Sequence, residues 1–281
     1  MPPVFDAHIH IQPFHMMKPD VQTTFWQKKD RATFEAFAAD PAKLLRQMDA
    51  DGIERVGLIN YVSPDVMGFT SEVNAWMVNY ASADPSRLIP FGSVHPAFTG
   101  DPGGETDRVI EMGARALKIH PPHQLFRANA YQDTLPGLAE IYRRAEAAGI
   151  PVTIHTGTSV FPGARSRFGD PMDVDDVAID FPKLKILLAH GGRPIWMDAA
   201  FFVVRRHPNV YLEVSGIPPA KLLEYFPRLE KIAHKTVWGT DWPSPGIKSM
   251  RQNVETFLQL PLSDEARRKI LYDNAVQTFA R

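Results

Sequence analysis

Four short apolar stretches of this chain end in histidine or aspartate and then run into a turn signal. They are Asp6-Ala-His8-Ile-His10, Thr153-Ile-His155-Thr-Gly157, Leu188-Ala-His190-Gly-Gly192 and Gly239-Thr-Asp241-Trp-Pro243. Polar ends this far apart in sequence meet only if their strands converge. A closed parallel barrel brings strand C-termini to one rim, and imidazoles gathered there with a carboxylate are what a divalent cation needs.

Strand and helix patterns alternate from end to end. Eight strands are predicted, over 4–10, 55–61, 88–95, 114–120, 150–155, 184–190, 210–215 and 236–241. Between them lie amphipathic stretches with helix punctuation. Asp40-Pro41 supplies a cap and a first-turn proline before Lys43–Met48, and Gly52 stops that helix. The helices over 138–148 and 107–112 end at Gly149 and Gly113. Such alternation implies parallel strands joined by right-handed crossovers. An open doubly wound sheet would want a glycine-rich phosphate loop after the first strand, and His-Ile-His-Ile-Gln-Pro is not one. The expectation is therefore one domain over 1–281, a distorted (β/α)8 TIM barrel with insertions after strands one and five. The insertions are Gln12–Ala39, rich in Phe and Met, and Gly157–Met172. Both fall on the rim where barrel enzymes build their pockets, although the first could equally be a surface excursion packing its own aromatics.

Length and composition fit this reading. The chain has 281 residues, 44% hydrophobic and 22% charged, with a net charge of −1. That balance argues against nucleic-acid binding and against a basic membrane-attracting face. No apolar run approaches the ~20 residues of a membrane span. The N-terminal sequence lacks a secretory pattern, so the cytoplasm is the expected location. There is no cysteine, so any metal site must use nitrogen and oxygen ligands.

His8 and His10 are two apart on a strand and so share a face, directed into the barrel mouth with Phe5 and Ile9 opposite. His-x-His alone is a weak signal. Together with histidines ending strands five and six and an aspartate ending strand eight, it becomes a specific one.

These pieces, with Lys118-Ile-His120-Pro121, resemble the amidohydrolase superfamily, in particular the amidohydrolase-related branch that contains aminocarboxymuconate-semialdehyde decarboxylase. The matching motifs run from the first strand to the last. The resemblance implies a distorted (β/α)8 barrel binding one or two divalent metals, most often zinc. It makes His8, His10, His155 and Asp241 the ligands, with His190 holding or deprotonating a metal-bound water or acting as an acid on the substrate. Three neutral imidazoles and one carboxylate leave Zn²⁺ a net charge of +1, enough to bring a bound water's pKa toward ~7. Mn²⁺, Fe²⁺, Co²⁺ and Ni²⁺ suit the same donors. Asp241 and His190 are thus the candidate catalytic residues, around a single ion.

Lys118, ending strand four, is expected to be an ion-pair or substrate-positioning cation, since a buried unpaired lysine is costly. His120 shares its face and is, with Lys118, a candidate substrate contact. His95 and His120 are expected to support or pack rather than ligate, and His15, His123, His207 and His234 to lie on the surface. Arg165 and Arg167, in the loop after strand five, could clamp a carboxylate or stay solvated beside Asp170 and Asp173. Arg193 is expected to pair within the structure, and Glu213 to support a ligand or pair with a lysine. Phe201, Phe202, Trp196 and Tyr225 fit either a homodimer face or core packing. The expected activity is hydrolysis of an amide, ester or lactone, or non-oxidative decarboxylation, of a small carboxylated molecule. The alternatives are a metal-free lactonase of the same fold and a non-catalytic binding barrel.

Overall fold

Eight parallel strands pair strictly in sequence order, β1 through β8. A computed structural model describes residues 2–27, 29–244 and 246–280. The strands are β1 (Phe5–Ile9), β2 (Arg55–Leu58), β3 (Leu88–Gly92), β4 (Ala116–Ile119), β5 (Val152–His155), β6 (Ile186–Ala189), β7 (Val210–Glu213) and β8 (Thr236–Val237). Each falls inside a predicted segment but is shorter.

The ring closes between β1 and the segment that follows β8. Ala7 N donates to Trp238 O at 3.0 Å, Asp241 N to His8 O at 2.8 Å, and His10 N to Trp242 O at 2.7 Å. The barrel architecture expected from the sequence is what the chain adopts.

The crossovers carry helices α1 (Pro19–Phe25), α2 (Arg31–Ala39), α3 (Pro41–Asp51), α4 (Glu72–Ala81), α5 (Pro102–Met112), α6 (Pro121–Gln124), α7 (Gly137–Ala148), α8 (Met172–Asp180) and α9 (Met197–Arg206). Helix α3 begins where the sequence says it should: Asp40 accepts from Ala42 N, and Gly52, at φ 72°, supplies the left-handed exit that a side chain would resist. Helices α1 and α2 form the first insertion. The second contains a short turn over Ser166–Gly169.

Buried apolar residues form two clusters. The larger joins outward strand residues such as Ile9, Val56, Leu117 and Ile154 to the helices. The other joins Phe5, Phe91, Ala116, Leu187 and Val237 to Phe279, whose ring lies 5.5 Å from Phe5 and 5.6 Å from Phe91. The expectation that Phe5 and Ile9 share a face is thus corrected. Register shifts between Asp6 and Ile9, and the two side chains separate into different clusters. Among the aromatics that suggested a dimer face, Phe201 is buried, Tyr225 lines the central cavity, Trp196 is half-buried and Phe202 is exposed. Among the described residues no helix is long and apolar enough to cross a membrane.

Candidate active site

Strand alternation aims one set of side chains into the barrel mouth. Lys118 lies two residues beyond Ala116, His155 two beyond Thr153, and Glu213 two beyond Tyr211. A cavity of about 340 Å³ opens at this rim. Its polar wall includes His8, His10, Lys118, His120, His155, His190, Arg193 and Asp241. Gln12 and Phe25 from the first insertion and Ser159 and Phe161 from the second complete the enclosure. The first insertion therefore contributes to the pocket wall and also packs its own aromatics, Phe14, Phe25, Trp26 and Phe34, on one another.

Three donor atoms crowd together at the closure seam. His8 Nε2 lies 3.3 Å from His10 Nε2 and 3.6 Å from Asp241 Oδ1, and His10 Nε2 lies 3.0 Å from the same oxygen. His190 joins them: His8, His190 and Asp241 each offer an atom within 4.8 Å of the others. The His155 ring is 4.6 Å from that of His190, and its Nε2 is buried with no hydrogen-bond partner among the described residues.

The groups behind these side chains fix which nitrogen faces the cavity. His8 Nδ1 donates to Glu213 Oε2 at 2.7 Å, leaving Nε2 free for the cluster. Glu213 is held in turn by Ser215, whose N and Oγ donate at 2.6 and 2.9 Å. His190 Nδ1 donates to Ser215 O at 2.9 Å, which presents the Nε2 lone pair to the cavity. This close stacking requires glycine at position 239. A Cβ there would lie 2.5 Å from Glu213 Oε1 and 2.8 Å from His8 Cβ. His190 and Asp241 themselves adopt left-handed φ values of 67° and 66°. Non-glycine residues pay strain for that conformation, and such strain concentrates at functional sites.

Electrostatics keep the cluster ready for a cation. Burial holds the imidazoles of His8, His155 and His190 well below the usual histidine range, so they are neutral near pH 7. Burial alone would raise Asp241, but the hydrogen bond from His10 and the electrostatic pull of its neighbours, the Arg193 guanidinium among them, outweigh it and hold the carboxyl below its ordinary range. Arg193 Nη2 lies 3.4 Å from Asp241 Oδ2 while its Nε donates to Gly216 O at 2.8 Å. The expected internal ion pair of Arg193 is therefore with the candidate ligand aspartate itself. Asp6 stands behind the cluster. Its Oδ1 accepts from Thr240 N at 2.9 Å and its Oδ2 from Thr240 Oγ1 at 2.6 Å, tying β1 to the segment bearing Asp241.

Several sequence expectations need correction. Arg165 and Arg167 are exposed and do not line the cavity; the Arg167 guanidinium lies 4.9 Å from the Phe168 ring. This matches the solvated alternative, whereas Ser159 and Phe161 of the same loop line the cavity. His123 is not a surface residue but 2% exposed in the cavity wall. His207 is also buried, with Nε2 2.7 Å from Asp175 Oδ1, joining α9 to α8. His15 and His234 are exposed as expected. His95 lies three residues beyond β3, beside Phe98 and Phe126, and is not in the donor cluster.

The sequence reading missed a second polar array in the same cavity. Tyr61 Oη lies 2.8 Å from His123 Nδ1, and His123 Nε2 lies 2.6 Å from Ser159 Oγ. The signal was His120-Pro-Pro-His123: the prolines start one helical turn, which folds His123 back over His120 with ring centroids 3.6 Å apart. His120 in turn stacks on His155 at 3.9 Å.

The sequence matches the amidohydrolase family over residues 5–281. The chain belongs to that family. No curated protein matches it. Solved structures sharing the fold include an uncharacterized TIM-barrel protein from Bordetella bronchiseptica, with a TM-score of 0.78, 23% identity and coverage of 99% of this chain and 98% of that one. A probable 2-pyrone-4,6-dicarboxylic acid hydrolase from Acinetobacter baumannii, with citric acid bound, gives a TM-score of 0.69 at 15% identity, covering 99% of each chain. A 5-carboxyvanillate decarboxylase from Novosphingobium aromaticivorans, complexed with manganese and 4-hydroxy-3-methoxy-5-nitrobenzoic acid, gives 0.67 at 16% identity, covering 100% of this chain and 96% of that one.

The donor set of this amidohydrolase suits a divalent cation. It offers neutral imidazole nitrogens and an ionised carboxylate, with a carboxylate behind His8. The buried, unpartnered Nε2 of His155 is the kind of atom that a cation satisfies and that costs free energy when left alone.

Proposed function

We propose that this amidohydrolase is a metal-dependent enzyme acting on a small carboxylated molecule, by decarboxylation or by hydrolysis of an ester, lactone or amide. One observation carries the reading: His8 is fixed through Nδ1 by buried Glu213, and its Nε2 meets His10 and Asp241 within 3.6 Å. His8, His10, His155 and Asp241 would hold the ion, and zinc and manganese both suit these donors. A cation there supplies Lewis-acid polarisation of a substrate oxygen and acidifies water.

The chain's own residues provide the rest. Asp241, ionised within the cluster, accepts a proton through its carboxylate. His190, with Nδ1 fixed by Ser215 O, takes up or delivers a proton at Nε2. Arg193 orients the Asp241 carboxylate. The cavity volume of about 340 Å³ suits a single-ring substrate, and the aromatic walls exclude water from it. The structural relatives named for a pyrone dicarboxylic acid and a carboxyvanillate support a carboxylated ring as the substrate class.

The test is elemental analysis of the purified protein, followed by assays of CO₂ release from hydroxybenzoates and acid release from lactones, before and after chelation. The expected result is close to one bound cation per chain and activity that disappears on chelation and returns with zinc or manganese. A second reading, a metal-free lactonase, draws on the Arg193–Asp241 pair and the pyrone hydrolase relative. Lactone hydrolysis that survives complete metal removal would establish it instead.

A further inference from the structure

Lys118 and His120 alternate on β4 and both line the cavity. Lys118 is 1% exposed, and its Nζ has no hydrogen-bond partner among the described residues. The two nearby carboxylates are engaged elsewhere. Glu213 is taken by His8 and Ser215, and Asp241 by His10 and Arg193. They act on Lys118 only through space. A buried ammonium with no direct partner is among the most costly groups a fold can carry.

His120 shows the same deficit. Its Nδ1 is buried without a partner among the described residues. Its ring is clamped between His123 at 3.6 Å and His155 at 3.9 Å, with Tyr61 at 4.7 Å, and so cannot turn to find one. The loop arginines that would otherwise recognise an anion lie outside the cavity.

We propose that Lys118 Nζ and His120 Nδ1 form the subsite that holds a carboxylate of the substrate. An ionised carboxylate offers about four acceptor positions. It can therefore satisfy the ammonium and a neutral imidazole N–H together, through charge-assisted bonds that neither residue makes within the protein. The subsite explains why β4 carries a lysine where a barrel interior would otherwise place an apolar side chain. It rests on the reading of this cavity as the site for a small carboxylated molecule, and it adds which side chains take the carboxylate.

The test uses the full chain, first freed of metal by chelation, in calorimetric titration with isophthalate and with neutral isophthalamide as control. Lys118→Met is expected to weaken isophthalate at least tenfold. His120→Phe, which keeps the ring stack, is expected to weaken it several-fold, and isophthalamide binding should be the same in all three proteins. The melting temperature of Lys118→Met should hold or rise, because an unpaired buried charge has been removed. The proposal is overturned if wild type does not bind isophthalate, or if Lys118→Met binds it within twofold of wild type. It is equally overturned if ¹³C-bicarbonate gives a carbamate resonance in wild type that Lys118→Met lacks, since Lys118 would then be a modified, anionic group. Failure of the metal reading gives a different result: no bound cation in wild type, with isophthalate still discriminating between wild type and Lys118→Met.

Discussion

The backbone amide of Asp241 donates to the carbonyl of His8 at 2.8 Å, while its carboxylate accepts from the His10 ring at 3.0 Å. One residue therefore closes the barrel with its main chain and builds the donor cluster with its side chain. Asn tolerates a left-handed φ such as the 66° found here, so Asp241→Asn preserves shape and closure while removing charge. Its melting temperature should stay within a few degrees of the metal-free wild type. Zinc or manganese affinity, read by competition with a fluorescent chelator, should fall by about a hundredfold or more, and activity with it. Undiminished metal affinity would remove Asp241 from the ligand set.

Glu213 acts at one remove, through His8 Nδ1. Glu213→Gln keeps an acceptor for that N–H but loses the charge that makes the imidazole a stronger donor. Metal affinity should fall by about tenfold, and by more in Glu213→Leu, within the range typical of groups that orient a ligand from behind. Equal affinities in wild type and both variants would show that the His8–Glu213 contact serves packing alone.

The barrel and most of the cluster were legible because both depend on local rules. Strand periodicity and helix punctuation fix the element order, and polar residues at strand ends fix what reaches the rim. What escaped the sequence was the direction taken by irregular chain. Arg165 and Arg167 sit in a loop whose path depends on tertiary contacts, and it carries them outward. His123 looked like a loop residue, yet one turn started by Pro121 and Pro122 brings it over His120. His207 is buried because Asp175, on the neighbouring α8, meets it, a pairing no local pattern announces. The register shift in β1 likewise separated Phe5 from Ile9 against simple alternation.

Asp6 gives a prediction in pH. Burial, largest among its influences, pushes its carboxyl from 3.8 up to about 7 despite the Thr240 hydrogen bonds. The folded state therefore binds a proton that the unfolded state has released. Asp6 contributes stability fully present below about pH 4 and lost as pH rises to about 7. Asp6→Asn mimics the protonated form, accepting from Thr240 N and donating to Thr240 Oγ1. Urea unfolding of the metal-free protein between pH 4 and 8 should show wild type losing stability relative to Asp6→Asn across that window. Parallel curves for the two proteins would mean that Asp6 titrates normally.

Trp242 couples the donor cluster to the first insertion. It follows Asp241 directly, and its ring lies 5.1 Å from Phe34 and 5.7 Å from Phe37 on α2, a helix with no fully buried residue of its own. This aromatic contact holds α2 over the rim together with the hydrogen bond from Tyr80 Oη to Phe37 O at 2.7 Å, and Phe25 at the end of α1 lines the cavity. Trp242→Ala should cost about 3–5 kcal/mol, as large-to-small changes at buried aromatics do. Because α2 buries none of its own residues fully, the loss should appear first as local opening. Amide hydrogen exchange should accelerate across 19–39 under conditions where β4 to β7 remain protected, and Trp242→Phe should recover much of the protection. Exchange that rises uniformly over the barrel in Trp242→Ala would show instead that the tryptophan supports the ring as a whole and that the insertion is anchored by other contacts.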